Sequence, residues 1–158
     1  MKRHIILLIS LGIAADMLAW KPVGDRMLTT WGENLNPAAV HQEYPRPQMK
    51  RGEWQNLNGL WEYAIAPRNN AEPKKFDGEI LVPFAPQSAL SGVGRDVTAD
   101  DAIWYRRSFR VPRDWKGKRV MLNFGAVDWK TEVWVNGVKA GTHTGGYTPF
   151  SLDITPAL

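Results

Sequence analysis

The sequence predicts an all-β protein folded as a β-sandwich, and three features support this class. Short segments of alternating apolar and polar residues recur at nearly regular spacing, which is the pattern of strands with one buried face. Glycine and proline turns separate these segments, and the 158 residues contain 14 Gly and 11 Pro. No segment after residue 19 shows a helical period of any length. Short strands and turns at this spacing are typical of sandwiches.

Residues 1–19 have the features of a secretory signal peptide, which we expect to form a signal helix. A basic start is followed by the apolar run Ile5 to Ala15, which is too short to span a bilayer. Asp16 and Met17 fit the cleavage context poorly, so an uncleaved N-terminal anchor is the alternative. We expect a bacterial protein that is secreted or periplasmic, with no membrane contact after the signal is removed.

Residues 20–48 are predicted to form an irregular lead-in arm that lies over the domain. Four prolines in this segment interrupt any regular element. Asn36 is placed to cap a short helix, with Pro37 at its first position. The β-sandwich is then expected to occupy residues 49–158.

The predicted sheet begins in the segment 54–66, where Asn58-Gly59 predicts a turn before an alternating run. Residues 86–101 are predicted to form a long irregular connection. The segment 112–117 is predicted to be a turn that lets two strands return antiparallel to each other. The predicted strands cover residues 54–66, 79–83, 103–111, 118–124 and 150–154.

The dipeptide Asn136-Gly137 predicts a tight β-hairpin. It follows the alternating residues Val133 and Val135, and both residues of such a turn must tolerate a positive φ. A loop rich in glycine and tyrosine follows the hairpin. The eight Trp residues suit either a sandwich core or a sugar-facing surface, and we assign most of them to the core.

The composition excludes several kinds of chemistry. The absence of cysteine excludes disulfides, thiolate metal sites and thiol catalysis. The histidines are His4, His41 and His143, and their spacing does not suit a metal site, so we expect no metal and no cofactor. The net charge of +4 is scattered along the chain, so no nucleic-acid partner is expected.

Four motifs occur in order along the chain. They are LNGLWEYAI at 57–65, WYRRSFRVP at 104–112, VWVNGVKAG at 133–141 and HTGGYTPFSLDIT at 143–155. Together they resemble the N-terminal sugar-binding domain of family 2 glycoside hydrolases, which include β-galactosidases, β-glucuronidases and β-mannosidases. The resemblance runs from Arg46 to the end and extends to the lead-in WGENLNPAAVHQEYPRPQ. It implies a jelly-roll β-sandwich like that of galactose-binding domains.

The resemblance also implies where catalysis takes place. In that family the acid/base and the nucleophile are two glutamates on a (β/α)8 barrel that follows this domain and an immunoglobulin-like domain. Retaining hydrolysis needs these carboxylates about 5 Å apart. We therefore assign no catalytic residue to this chain. We expect a C-terminally incomplete sandwich, from a longer secreted enzyme that hydrolyses O-glycosidic bonds in β-glycosides, which packs on the downstream catalytic barrel.

In the family, loops of this domain border the mouth of the barrel, and the matching loops here are 126–130 and 143–148. Asp128 is placed to accept hydrogen bonds from sugar hydroxyls and Trp129 to stack on an apolar sugar face, with His143 and Tyr147 acting likewise. The alternative is structural: Tyr147 packs on the sheet and His143 bonds to backbone. Galactosidases of the family carry an aspartate where this chain has Gly145, so a galactose preference is not implied.

Two other functions fit the same sequence. A freestanding carbohydrate-binding module without catalytic activity would use a row of exposed aromatic side chains, and the tryptophan content supports it weakly. An adhesive or structural surface sandwich would need no sugar site at all.

Overall fold

The computed structural model describes residues 20–43 and 52–158, and these consist of antiparallel strands with little helix. The predicted all-β class is confirmed, and several antiparallel sheets are consistent with the predicted sandwich. The predicted signal segment and part of the predicted arm lie outside the described residues. No helix in the described part of the chain is long and apolar enough to cross a membrane.

The described residues form seven strands and four short helical turns. The helix α1 covers Thr30–Glu33, and single 3₁₀ turns cover Ala89–Ser91, Arg113–Trp115 and Thr155–Ala157. The strands are β1 (Gly59–Pro67), β2 (Gly78–Val82), β3 (Asp101–Arg106), β4 (Met121–Phe124), β5 (Lys130–Val135), β6 (Val138–Thr144) and β7 (Phe150–Asp153).

The chain divides into two compact units. The first contains the described residues up to Val40 together with Asn58–Arg106. The second contains the described residues of His41–Leu57 together with Arg107–Leu158.

The first unit is built on an antiparallel sheet with the strand order β2-β1-β3. Leu60 of β1 lies opposite Leu81, and Ala64 lies opposite Trp104. Ile80 and Leu81 are fully buried and Ala64 is nearly so, which places the core of this unit along β1 and β2. Consecutive residues of a strand point to opposite faces, so the burial of both Ile80 and Leu81 covers both faces of β2 at this point.

The N-terminal arm contacts this unit through backbone and side chains. The Val23 N–H donates to the Ala89 carbonyl at 3.0 Å, and Val40 is fully buried. The prediction that Asn36 caps a helix is wrong, because its side chain accepts from the Ala38 N–H at 2.9 Å within a turn. The helix α1 lies earlier in the chain, and the Thr29 hydroxyl caps it by accepting from the Gly32 N–H.

Two sequence predictions about strand boundaries and pairing are wrong. Gly59 is the first residue of β1, opposite Val82, rather than part of a turn. The strand predicted over 103–111 ends at Arg106 and pairs with β1, while β4 pairs with β7. Glu62 faces Arg106 across β1 and β3 and accepts two hydrogen bonds from its guanidinium, at 2.7 and 2.8 Å, which favours this long-range pairing.

The second unit contains two antiparallel two-stranded sheets, β4-β7 and β5-β6. Asn136 and Gly137 have φ values of 49° and 79° and form the turn between β5 and β6, so the predicted hairpin is confirmed. Leu152 of β7 packs closely on β6 at Gly141, where a Cβ would lie 2.6 Å from the leucine Cδ2. Ile154 is buried as the chain leaves β7.

Candidate functional site

Two loops of the second unit meet at one end of its strands. The first loop, 125–129, joins β4 to β5, and the second loop, 145–149, joins β6 to β7. The Gly145 N–H donates to the Trp129 carbonyl at 2.7 Å, next to the last pair of the hairpin ladder, Lys130 opposite Thr144. The structure therefore brings together the loops that carry Asp128, Trp129 and Tyr147, while His143, predicted within the loop 143–148, lies on β6.

Asp128 lies in the first loop and contacts the second. Its Oδ1 lies 2.6 Å, and its Cγ 3.1 Å, from the position that a Cβ on residue 146 would take. Only glycine at position 146 leaves room for this carboxylate where it stands. Asp128 is nevertheless exposed on its other side.

His143 lies on β6 opposite Thr131 and is held by neighbours on two sides. Its ring stacks on Phe150 with centroids 4.2 Å apart and planes at 15°. Its Nε2 lies 3.1 Å from the Thr148 Oγ1, with the direction of donation set by the tautomer. The partner of this nitrogen is thus a side chain of the second loop, and not the backbone that the structural alternative predicted.

Phe150 extends the stack into the neighbouring sheet. Its ring also packs on Phe124, with centroids 4.7 Å apart and planes at 15°, and these two residues are paired across β7 and β4. The three rings from β6, β7 and β4 form one column beneath the loops. Offset aromatic stacks of this kind are rigid and favourable.

The two aromatic candidates in the loops are open to solvent. Trp129 is 63% exposed and Tyr147 is 98% exposed, so Tyr147 does not pack on the sheet. Such rings present a flat apolar surface with a polar edge, which suits the faces of sugar rings.

Position 145 requires glycine for two reasons. Gly145 has a φ of 128°, and a Cβ there would lie 2.9 Å from the Thr148 Oγ1.

The contributions of Thr148, Phe150 and Phe124 were not predicted from the sequence. Thr148 and Phe150 could have been identified from their place in the segment GGYTPF, within three residues after Tyr147.

The charged groups of the hairpin form an ion pair on the exposed face of the strands. Glu132 accepts from the Lys139 Nζ at 2.8 Å, and this hydrogen bond and the lysine charge lower the pKa of Glu132. The Lys139 Nζ also lies 5.5 Å from the centroid of the Trp134 ring. No group of His, Asp and Glu side chains within the described ranges is arranged to hold a metal ion.

The described residues thus form an all-β domain in which two neighbouring loops carry exposed aromatic side chains. Residues 93–158 match the family model described as "Glycosyl hydrolases family 2, sugar binding domain". This segment therefore belongs to the sugar-binding domain of glycosyl hydrolases family 2, and the resemblance seen in the four motifs is confirmed. Both loops of the candidate site lie inside it.

The curated relatives are glycosidases. The chain is 34% identical over 118 residues to a β-glucuronidase of Paenibacillus borealis, covering 71% of this chain and 20% of that protein. It is 33% identical to the β-glucuronidase of Canis lupus familiaris, covering 87% and 23%, and 35% identical to a β-galactosidase of Thermoanaerobacter pseudethanolicus, covering 63% and 14%. The chain thus spans less than a quarter of the length of these relatives.

The chain is also similar to part of several solved β-glucuronidase structures. A β-glucuronidase of Faecalibacterium prausnitzii matches with a TM-score of 0.53 at 29% identity, covering 66% of this chain and 18% of that one. A β-glucuronidase of an uncultured Clostridium species matches with a TM-score of 0.51 at 26% identity, covering 66% and 20%.

Proposed function

We propose that this chain is the non-catalytic sugar-binding domain of a secreted or periplasmic glycoside hydrolase that cleaves O-glycosidic bonds in β-glycosides, with β-glucuronides as the first substrate class to test. The observation that carries the proposal is the family match over 93–158, which contains both loops with their exposed Trp129 and Tyr147. Glucuronides come first because β-glucuronidases align with this chain over 153 and 118 residues.

In this proposal the domain borders a pocket that polypeptide outside the chain completes. The relatives are several times longer than the aligned segment, which leaves room for a catalytic barrel on which this domain packs. The two loops contribute binding contacts, and the carboxylates that perform the hydrolysis come from the barrel. Export is supported by the signal-like composition of residues 1–19.

The test is hydrolysis by the natural polypeptide that contains this sequence. It is assayed on the p-nitrophenyl β-D-glucuronide, β-D-galactoside and β-D-mannoside, with the 158-residue chain assayed in parallel. We expect the natural polypeptide to cleave the glucuronide fastest and the 158-residue chain to cleave none of them. A natural reading frame that ends without a barrel, or hydrolysis by the short chain alone, contradicts the proposal.

A freestanding carbohydrate-binding module is the second candidate, and the exposure of Trp129 and Tyr147 is the observation that favours it. Isothermal titration of the purified chain with glucuronic acid and with a panel of oligosaccharides separates the two. A domain that supplies only part of a pocket should bind no sugar more tightly than the millimolar range. A clearly tighter dissociation constant, lost in Trp129→Ala and kept in the exposed control Trp31→Ala, supports the module instead.

A further inference from the structure

We propose that Asp128 and His143 are positioning residues that hold the two loops in register, and that Trp129 and Tyr147 are the side chains that contact the sugar. The inference rests on the proposed function, because it assigns roles within the same site. From the sequence, all four residues are candidate sugar ligands. In this proposal, Asp128 and His143 instead hold the loops in place, and only Trp129 and Tyr147 contact the sugar.

The first step is the direct contact between the loops. The Asp128 carboxylate fills the space that a side chain at position 146 would occupy, and the neighbouring residues Trp129 and Gly145 share a backbone hydrogen bond of 2.7 Å. Asp128 and Trp129 of the first loop thus contact Gly146 and Gly145 of the second loop. A shift of one loop by a single residue would break both contacts.

The second step concerns Tyr147, which is restrained through both of its chain neighbours. Gly146 before it lies against Asp128, and Thr148 after it lies within hydrogen-bond distance of the His143 Nε2. His143 is itself fixed by stacking on Phe150. The tyrosine side chain is 98% exposed, so its position is set by these neighbours and not by packing of its own ring.

The third step is the consequence for binding. A contact residue that is held in place before the ligand arrives loses less conformational entropy when the ligand binds. Asp128 contacts Gly146 and His143 contacts Thr148, both in the second loop. The rings of Trp129 and Tyr147 remain exposed. Disturbing the first pair should therefore weaken sugar binding by releasing the loops.

Gly146→Ala is the sharpest perturbation, because it displaces the Asp128 carboxylate without removing it. The added Cβ would stand 2.6 Å from Oδ1, so the aspartate must rotate away. Gly146 does not have a positive φ, so alanine fits its backbone. Gly52→Ala is the matched control, since a Cβ there meets nothing within 4 Å and its φ is not positive either.

Two measurements are made on the natural full-length polypeptide: hydrogen exchange of the Gly145 amide, and kcat and KM for p-nitrophenyl β-D-glucuronide. We expect Asp128→Ala and Gly146→Ala each to speed Gly145 exchange about tenfold and to raise KM several-fold, with kcat within about twofold. The double variant should be no worse than the stronger single variant, because both remove one contact. Asp128→Asn keeps the shape of the side chain and should stay close to the parent protein.

Other results overturn the inference. A rise in KM for both Asp128→Ala and Asp128→Asn, with Gly145 exchange unchanged, would identify the carboxylate as a sugar ligand. Unchanged exchange in Gly146→Ala would show that the loops are not held by this contact. Thermal unfolding of each variant separates local release from a loss of folding, since the exposed Asp128 should change Tm little.

The role of His143 is tested through its partner. Thr148→Val removes the hydroxyl but keeps the shape of the side chain, and it should raise KM while the parent kcat is kept. Its effect should largely vanish in a Tyr147→Ala background, because the ring that it positions is then absent. Additive effects of the two changes would contradict the positioning role. If the polypeptide cleaves none of the glycosides, the proposed function fails, and the exchange of Gly145 still decides the roles of Asp128 and Gly146.

Discussion

Gly141→Ala tests how closely the two sheets of the second unit pack. A Cβ at this position would lie 2.6 Å from Leu152 Cδ2 and 3.4 Å from Cδ1. Carbon atoms in favourable contact are about 3.5–4.0 Å apart, so the leucine must retreat by about 1 Å. Gly141 does not have a positive φ, so the strain comes from packing and not from the backbone. Forced overpacking costs about 1–3 kcal/mol, which corresponds to a fall in Tm of about 2–12 °C for a chain of this size.

The assay is urea and thermal unfolding of the parent chain, Gly141→Ala, Leu152→Ala and the double variant. Removing the leucine side chain also removes the clash, so the double variant should be more stable than the sum of the single effects predicts, by about 0.5–3 kcal/mol. Gly52→Ala serves as the control at an open site. Additive effects within about 0.5 kcal/mol would show that Leu152 does not pack on Gly141, and would refute the reasoning.

Three further predictions follow from single contacts. Ile80→Ala should lower the free energy of unfolding by about 2–5 kcal/mol in urea titrations, because Ile80 is fully buried beside β1. Asn136→Gly should keep the hairpin turn but lower stability by about 0.5–1.5 kcal/mol, because the side-chain hydrogen bond to the Ala157 carbonyl, 2.8 Å long, is lost. Hydrogen bonds from Thr155, and then the guanidinium of Arg119, lower the pKa of the Asp153 carboxyl. The ionised carboxylate therefore stabilises the folded protein fully above about pH 4, and this contribution is lost as the pH falls through the lowered pKa. Asp153→Asn should therefore flatten the acid limb of a plot of Tm against pH.

The local features of the fold were predictable from the sequence because each depends on residues close in the chain. Asn136-Gly137 predicted the hairpin correctly, since the strands on both sides supply the pairing that the turn needs. The same dipeptide at Asn58-Gly59 predicted a turn and was wrong, because Gly59 finds its ladder partner in β2. Turn propensity decides the structure only where neighbouring strands pair with each other.

Strand partners were less predictable, because they depend on residues far apart in the chain. The sequence suggested a hairpin around 112–117, but β3 pairs with β1, and β4 pairs with β7. The cross-strand pairing of Glu62 with Arg106 joins residues 44 positions apart, which no local pattern reveals. Alternation of apolar residues identifies a buried face, but it does not identify the strand that lies beside it.

The contacts within the candidate site were not predictable from the sequence. The motif identified the loops, and the structure brings them together, yet the roles of the side chains depend on geometry that the sequence does not contain. The closeness of Asp128 to Gly146 and the stacking of His143 on Phe150 are contacts between different strands or loops. At Gly146, the space that a side chain would take is filled by the Asp128 carboxylate.

Several carboxylates among the described residues have a lowered pKa, because neighbouring groups stabilise their charged form. Five such groups have these partners: a backbone N–H and then His41 for Glu43, Arg106 for Glu62, the Thr98 backbone and hydroxyl for Asp101, Lys139 for Glu132, and Thr155 with Arg119 for Asp153. A general acid in glycoside hydrolysis needs the opposite, a raised pKa that keeps the proton until the leaving group takes it. These five groups lack that raised pKa, which agrees with the proposal that the acid comes from polypeptide outside this domain.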